Sequence, residues 1–72
     1  MRIAMRERRT EMGKSQEDIA RLAGLTASGY AKIERGEKNP SVKVLLRLSS
    51  LMGLDALDLL ENGHNEIVPA GQ

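Results

Sequence analysis

Few side chains in this sequence could carry covalent chemistry. There is one histidine, His64, and no cysteine to serve as nucleophile or thiolate ligand. Ser15 and Thr26 are hydroxyls that could attack, yet each directly precedes a helix-forming run, where a hydroxyl caps free backbone N–H groups. His64, Asn65 and Glu66 could touch a metal, but a histidine and a glutamate in a segment broken by Gly and Pro make no site. The expectation is no catalytic residue, no metal and no cofactor. What remains is the chemistry of charge and hydrogen bonding. Residues 1–38 hold nine Lys or Arg against six Asp or Glu, and residues 39–72 hold two against four. A basic front and a mildly acidic back suit contact with a polyanion on one side. Ordinary solvated faces fit the same small numbers, so charge alone does not decide.

The elements that must position these groups are read from their punctuation. Seventy-two residues without a disulfide make one small domain, and Tyr30 is its only aromatic, so aliphatic residues and methionine must build the core. No apolar run approaches the roughly 20 residues needed to span a bilayer. The charges in Met1-Arg2-Ile3-Ala4-Met5-Arg6 are too closely spaced for a secretory leader. A soluble, cytoplasmic protein is expected. Arg2 to Met12 is rich in helix formers and stops at Gly13. Ser15-Gln16-Glu17-Asp18 is close to a capping box and opens a second helix, about 16–23, with Ile19, Ala20, Leu22 and Ala23 on its apolar side.

Gly24 ends that helix, and only Leu25 separates it from Thr26, the cap of a third helix at about 27–35. Gly36 closes the third helix. Glu37-Lys38-Asn39-Pro40 forms a turn, and Asn39 or Ser41 caps a fourth helix, about 42–52, with Val42, Leu45, Leu48, Leu51 and Met52 at helical spacing. Gly53 breaks it, and Asp55-Ala56-Leu57-Asp58 starts a fifth helix ending near Gly63. The division is a folded domain over 1–62 and a flexible tail over 63–72, GHNEIVPAGQ. The fold class is all-α, five short helices.

The tight pair of helices is the informative part. In QEDIARLAGLTASGYAKIER, Ile19, Ala23, Leu25, Tyr30 and Ile33 are apolar where two crossed helices would press together. Ala20 is small where their backbones come closest, and Gly24 stands where the turn needs a positive φ. Together these fill the slots of a helix-turn-helix. The third helix also begins oddly, with Ala27, Ser28 and Gly29, side chains that hold almost nothing out to the solvent.

With MRERRTEMGKSQEDIA, the turn AGLT, IERGEKNPS and LLRLSSLMGLDALDLL, residues 5–60 resemble the phage repressor/Cro type of helix-turn-helix domain, the XRE-like regulators. Lys14 departs from the pattern, which more often has an apolar residue there. Gly29 departs as well, at about 1 kcal/mol relative to Ala within a helix. The resemblance implies a lambda-repressor-like fold in which the third helix lies in the major groove of DNA and the second crosses the backbone. Matched position by position, Ala27, Ser28 and Lys32 fall where such proteins contact bases, with Thr26 and Ala31 beside them. Gln16 corresponds to a phosphate-binding glutamine. Arg35, Lys38, Asn39, Ser41 and Lys43 surround the turn and the fourth helix's N-terminus, which also face phosphates. Arg9 and Glu34 match a structural pair that bonds across the first and third helices.

Small residues at the head of a recognition helix would let it approach the groove floor closely. Ala27 and the Thr26 methyl can meet thymine methyl groups, and Ser28 can bond several base edges. Lys32 is the one long donor, with guanine or a phosphate as its target. Direct readout is therefore expected to be thin, with DNA shape and half-site spacing contributing. One such module buries only about 600–1,000 Å² on DNA, so a homodimer on a palindromic operator is expected. Val44, Leu51, Leu54, Leu57 and Leu60 could supply part of a two-fold interface, or all could be core. The alternative function is a protein-interaction module, or an antitoxin acting through its toxin. The basic set of Lys32, Arg35, Lys38 and Lys43 beside Gln16 favours DNA.

Overall fold

The computed structural model describes residues 1–60, with Leu60 described in backbone only. Among the described residues five helices follow in order: α1 over Ile3–Glu11, α2 over Gln16–Ala23, α3 over Ala27–Arg35, α4 over Val42–Met52 and α5 over Ala56–Leu60. The fifth helix's expected end near Gly63, the tail 63–72 and His64 lie outside the described residues.

Local chemistry sets these boundaries. Ser15 Oγ accepts from the Asp18 N–H at 3.0 Å, while Asp18 Oδ2 accepts from the Ser15 N–H at 2.9 Å, so the capping box forms with Asp in place of Glu. Thr26 caps α3 in the same way, accepting from the Gly29 N–H at 2.9 Å. Of the two candidate caps for α4, Ser41 does the work, accepting from the Val44 N–H at 3.2 Å.

Between α2 and α3 the chain turns at Gly24, whose φ of 74° and ψ of 31° are left-handed. The Leu25 N–H then reaches back to the Ala20 carbonyl at 2.8 Å, satisfying an orphan carbonyl of α2. A Cβ at residue 24 would sit 3.1 Å from Arg47 Nη1, which itself donates to the Ala23 carbonyl at 3.0 Å. Gly24→Ala should therefore cost about 1–2 kcal/mol from the left-handed backbone, with Arg47 displaced as well. Urea unfolding measures this, and a cost under about 0.5 kcal/mol would show that the turn relaxes freely.

The core is built from Met5 of α1, Ile19, Ala20 and Ala23 of α2, Tyr30 and Ile33 of α3, Leu48 and Met52 of α4, and Leu59 of α5, all buried. The small Ala20 and Ala23 let α2 and α3 make the most extensive helix–helix contact among the described residues. Two apolar residues depart from expectation. Leu22 is half exposed, because at about 100° per residue it lies well round from the stripe of Ile19, Ala20 and Ala23. Val42 is 72% exposed, since the first turn of α4 projects beyond the core. A third departure is larger. Arg2 is buried, and its guanidinium donates to main-chain carbonyls of α3, the following turn and α5.

Candidate nucleic-acid interface

The amphipathic division of α3 determines what it can offer a ligand. Tyr30, Ile33 and Glu34 face the interior, leaving Ala27, Ser28, Lys32 and Arg35 exposed and Ala31 half-buried. One face is thus small at the N-terminal end and cationic at the C-terminal end. Thr26 spends its Oγ1 on the cap, so its methyl is the part free to make apolar contact. The same cap gives Gly29 a reason. A Cβ there would lie 3.0 Å from Thr26 Oγ1, so glycine leaves room for the hydroxyl at a cost in helix propensity.

Behind this face lies a polar network centred on Glu34. Its Oε2 accepts from Arg9 Nε at 2.7 Å and from the Tyr30 hydroxyl at 3.1 Å. Its Oε1 accepts from Gln16 Nε2 at 2.6 Å and from Arg9 Nη2 at 3.2 Å. Arg9 also donates through Nη1 to the Lys14 carbonyl at 2.9 Å. One buried carboxylate of α3 therefore joins α1 and the head of α2, and Arg9 extends the network to the α1–α2 turn. Burial drives the Glu34 pKa up, but hydrogen bonds from Arg9 and Gln16, the Arg9 charge and the Tyr30 hydroxyl outweigh it, holding the carboxyl below its usual range. Tyr30, buried beside that carboxylate, has its pKa pushed well above the usual phenol value.

The flanking groups fall into two sorts. Lys32, Lys38 and Lys43 are exposed and form no ion pair among the described residues. Gln16, Asn39 and Arg35 already have partners. Gln16 spends an N–H on Glu34, Asn39 Oδ1 accepts from Arg2 Nη2 at 2.8 Å, and Arg35 pairs with Glu37. Ser41 has its hydroxyl at the head of α4. Reading the sequence missed Arg2, Tyr30 and Glu37 in these polar roles. The signal for the first was an arginine directly before an apolar helix start. For the last it was an acid between Arg35 and Lys38.

The apolar set proposed from sequence divides in the same way. Val44, Leu51 and Leu54 are half-buried against the core, whereas Leu57 is 78% exposed. Val42 and Leu46, one turn apart on α4, are exposed too. Among the described residues there is no cluster of three or more potential metal ligands, and no helix long and apolar enough to cross a membrane.

Two helices joined by a single left-handed glycine, with the second helix exposed along one face, define a helix-turn-helix domain. The helix-turn-helix family profile matches residues 5–59, and the chain belongs to that family, in its XRE-type branch. It is 39% identical over 56 residues to the "SPbeta prophage-derived uncharacterized HTH-type transcriptional regulator YonR" of Bacillus subtilis, covering 78% of this chain and 52% of that protein. It is 40% identical over 57 residues to the "HTH-type transcriptional regulator DdrOP3" of Deinococcus deserti, covering 79% and 44% respectively. The chain thus spans about half the length of these two relatives. The "Uncharacterized HTH-type transcriptional regulator YqaF" of Bacillus subtilis is 33% identical over 66 residues, covering 92% of this chain and 87% of the relative. No solved structure matches the chain significantly.

Proposed function

We propose that this protein is a sequence-specific, double-stranded DNA-binding transcriptional regulator without enzymatic activity, working in the cytoplasm. In this reading α3 enters the major groove. Thr26, Ala27, Ser28, Ala31 and Lys32 meet the bases, and Gln16, Arg35, Lys38, Asn39, Ser41 and Lys43 meet phosphates. The observation that carries the reading is the face of α3 itself: exposed Ala27 and Ser28 at one end, exposed Lys32 and Arg35 toward the other, backed by the buried Glu34 network. Small side chains allow close approach, and cations beyond them meet the polyanion. Family membership and relatives named as transcriptional regulators support the same conclusion.

The active form is a homodimer on a palindromic operator. One domain offers too little surface for tight specific binding, and the exposed Leu57 on α5 gives a second copy an apolar contact. The experiment is binding to the duplex upstream of the protein's own gene against a scrambled duplex, at two salt concentrations. Preference for the upstream duplex that persists at higher salt is the expected result. Binding to neither duplex would sink the reading and favour action through a protein partner such as a toxin. With a preferred duplex in hand, Lys32→Ala should cost about 1–3 kcal/mol and relax preference at one base position. Equal weakening on every duplex would instead assign Lys32 to a phosphate.

A further inference from the structure

The cationic end of α3 carries one acid at the surface. Between Lys32 and Lys43, Glu34 is buried and Glu37 is the exposed carboxylate, lying among Lys32, Arg35 and Lys38. The backbone holds it there. At the left-handed Gly36 the chain turns back, and the Glu37 N–H donates to the Lys32 carbonyl at 2.9 Å. The Glu37 side chain then lies along the guanidinium of Arg35. Arg35 Nε donates to Oε2 at 2.8 Å, and Nη2 donates to Oε1 at 3.3 Å. These two parallel donors form the fork with which arginine grips two oxygens of a phosphate. Arg35 holds Glu37 below the usual carboxylate range, with a smaller contribution from Lys32, so the acid is ionised wherever the domain works.

We propose that Glu37 limits affinity by competing with DNA: its carboxylate occupies the edge of Arg35 that a backbone phosphate would take. The inference rests on the DNA-binding reading and concerns how that site is regulated. Arg35 can engage a phosphate only by exchanging one anion for another. The exchange is feasible because both partners are solvated, with side chains 46% and 54% exposed, and pairs of that kind are weak. Its consequence falls mainly on sequence-independent binding, which depends on how many cations neutralise phosphates and release counterions. A paired Arg35 adds less to that number than a free cation would. Contacts of Ala27, Ser28 and Lys32 with bases are untouched, so Glu37 lowers the backbone share of the affinity while leaving base reading in place.

The test uses the full chain and a mixed-sequence duplex, with the dissociation constant measured from low to moderate salt. Glu37→Gln keeps the shape of the side chain and removes its charge. It should steepen the dependence of log K on log salt by about one unit and tighten binding about five- to tenfold near 0.1 M salt. That gain should vanish when Arg35→Ala is added: the double variant should bind no more tightly, and with no steeper slope, than Arg35→Ala alone. Circular dichroism melts verify that each variant is folded. An unchanged slope in Glu37→Gln would overturn the proposal while leaving DNA binding intact. So would a gain that survives the loss of Arg35, because Glu37 would then act only as a diffuse charge. If no variant binds the duplex even at the lowest salt, the DNA-binding reading itself fails, and this inference with it.

Discussion

Arg2→Met is expected to lower the unfolding free energy by about 2–4 kcal/mol, from a total that for 72 residues is only about 4–10 kcal/mol. Arg2 is 1% exposed and pairs with no carboxylate among the described residues. Its Nε donates to the Leu59 carbonyl at 2.6 Å and its Nη1 to the Ile33 carbonyl at 2.6 Å and the Lys38 carbonyl at 3.2 Å. Its Nη2 reaches Asn39 Oδ1 at 2.8 Å, and its own N–H donates to the Glu34 carbonyl at 2.7 Å. A single side chain therefore supplies donors to carbonyls of α3, of the turn after it and of α5. Burial lowers the Arg2 pKa, yet a guanidinium starts so high that it stays charged.

Methionine can fill the same channel but donates nothing, so the Leu59 carbonyl loses the guanidinium in a buried place and the Ile33 carbonyl is left with the Gly36 N–H. The corresponding fall in melting temperature is about 10–25 °C. Arg2→Lys should recover only part of this, because an ammonium cannot reproduce the planar fork. Thermal and urea unfolding of the three proteins decide the matter. A loss below about 1 kcal/mol in Arg2→Met would show that water replaces the guanidinium cheaply. Since the same side chain holds Lys38 and Asn39, any folded Arg2 variant should also hold the turn after α3 less firmly.

The contrast between what could and could not be read beforehand follows from the range of the interactions. The boundaries of α2, α3 and α4 were legible because Ser15, Gly24, Thr26, Gly36 and Ser41 act within a few residues of themselves. A capping hydroxyl finds its N–H three positions away in any context. Burial of Ile19, Ala20, Ala23, Tyr30 and Ile33 was legible from their spacing across the helix pair. The exposure of Leu22 and Val42 was not, since spacing places a residue on a face but does not say how far the neighbouring helix reaches.

Arg2 was illegible for a further reason. Its partners lie 31, 36, 37 and 57 residues away, three of them through main-chain carbonyls that carry no sequence signature. For the interface, residue type indicated which side chains could meet DNA, whereas only the fold reveals which of them are already engaged. Gln16, Asn39 and Arg35 each carry a partner that modifies what they can offer a phosphate.

Glu34→Ala should be still more damaging, at about 3–5 kcal/mol, because it strands a charged partner within the network. Arg9 keeps its charge without a counterion, and Gln16 and Tyr30 each lose an acceptor. Glu34→Gln separates charge from shape. It retains an acceptor for Arg9 or Tyr30 but cannot serve all four donors, and its amide N–H₂ would point at other donors. The pH dependence gives the sharper test. Because the folded pKa of Glu34 is depressed, the stabilisation it brings is fully present above the unfolded carboxylate value, about 4.3, and drains away as pH falls through the folded value. Asp18 and Glu37 are depressed as well and contribute to the acid response of the wild-type protein. The difference between wild-type protein and Glu34→Gln, measured by urea unfolding from pH 7 down to the acid limit, removes their contribution. That difference should be constant above about pH 5.5 and shrink steadily below it. A difference independent of pH would mean that the ionised carboxylate adds nothing beyond an ordinary acceptor, and that α3 is held to α1 by packing rather than by charge.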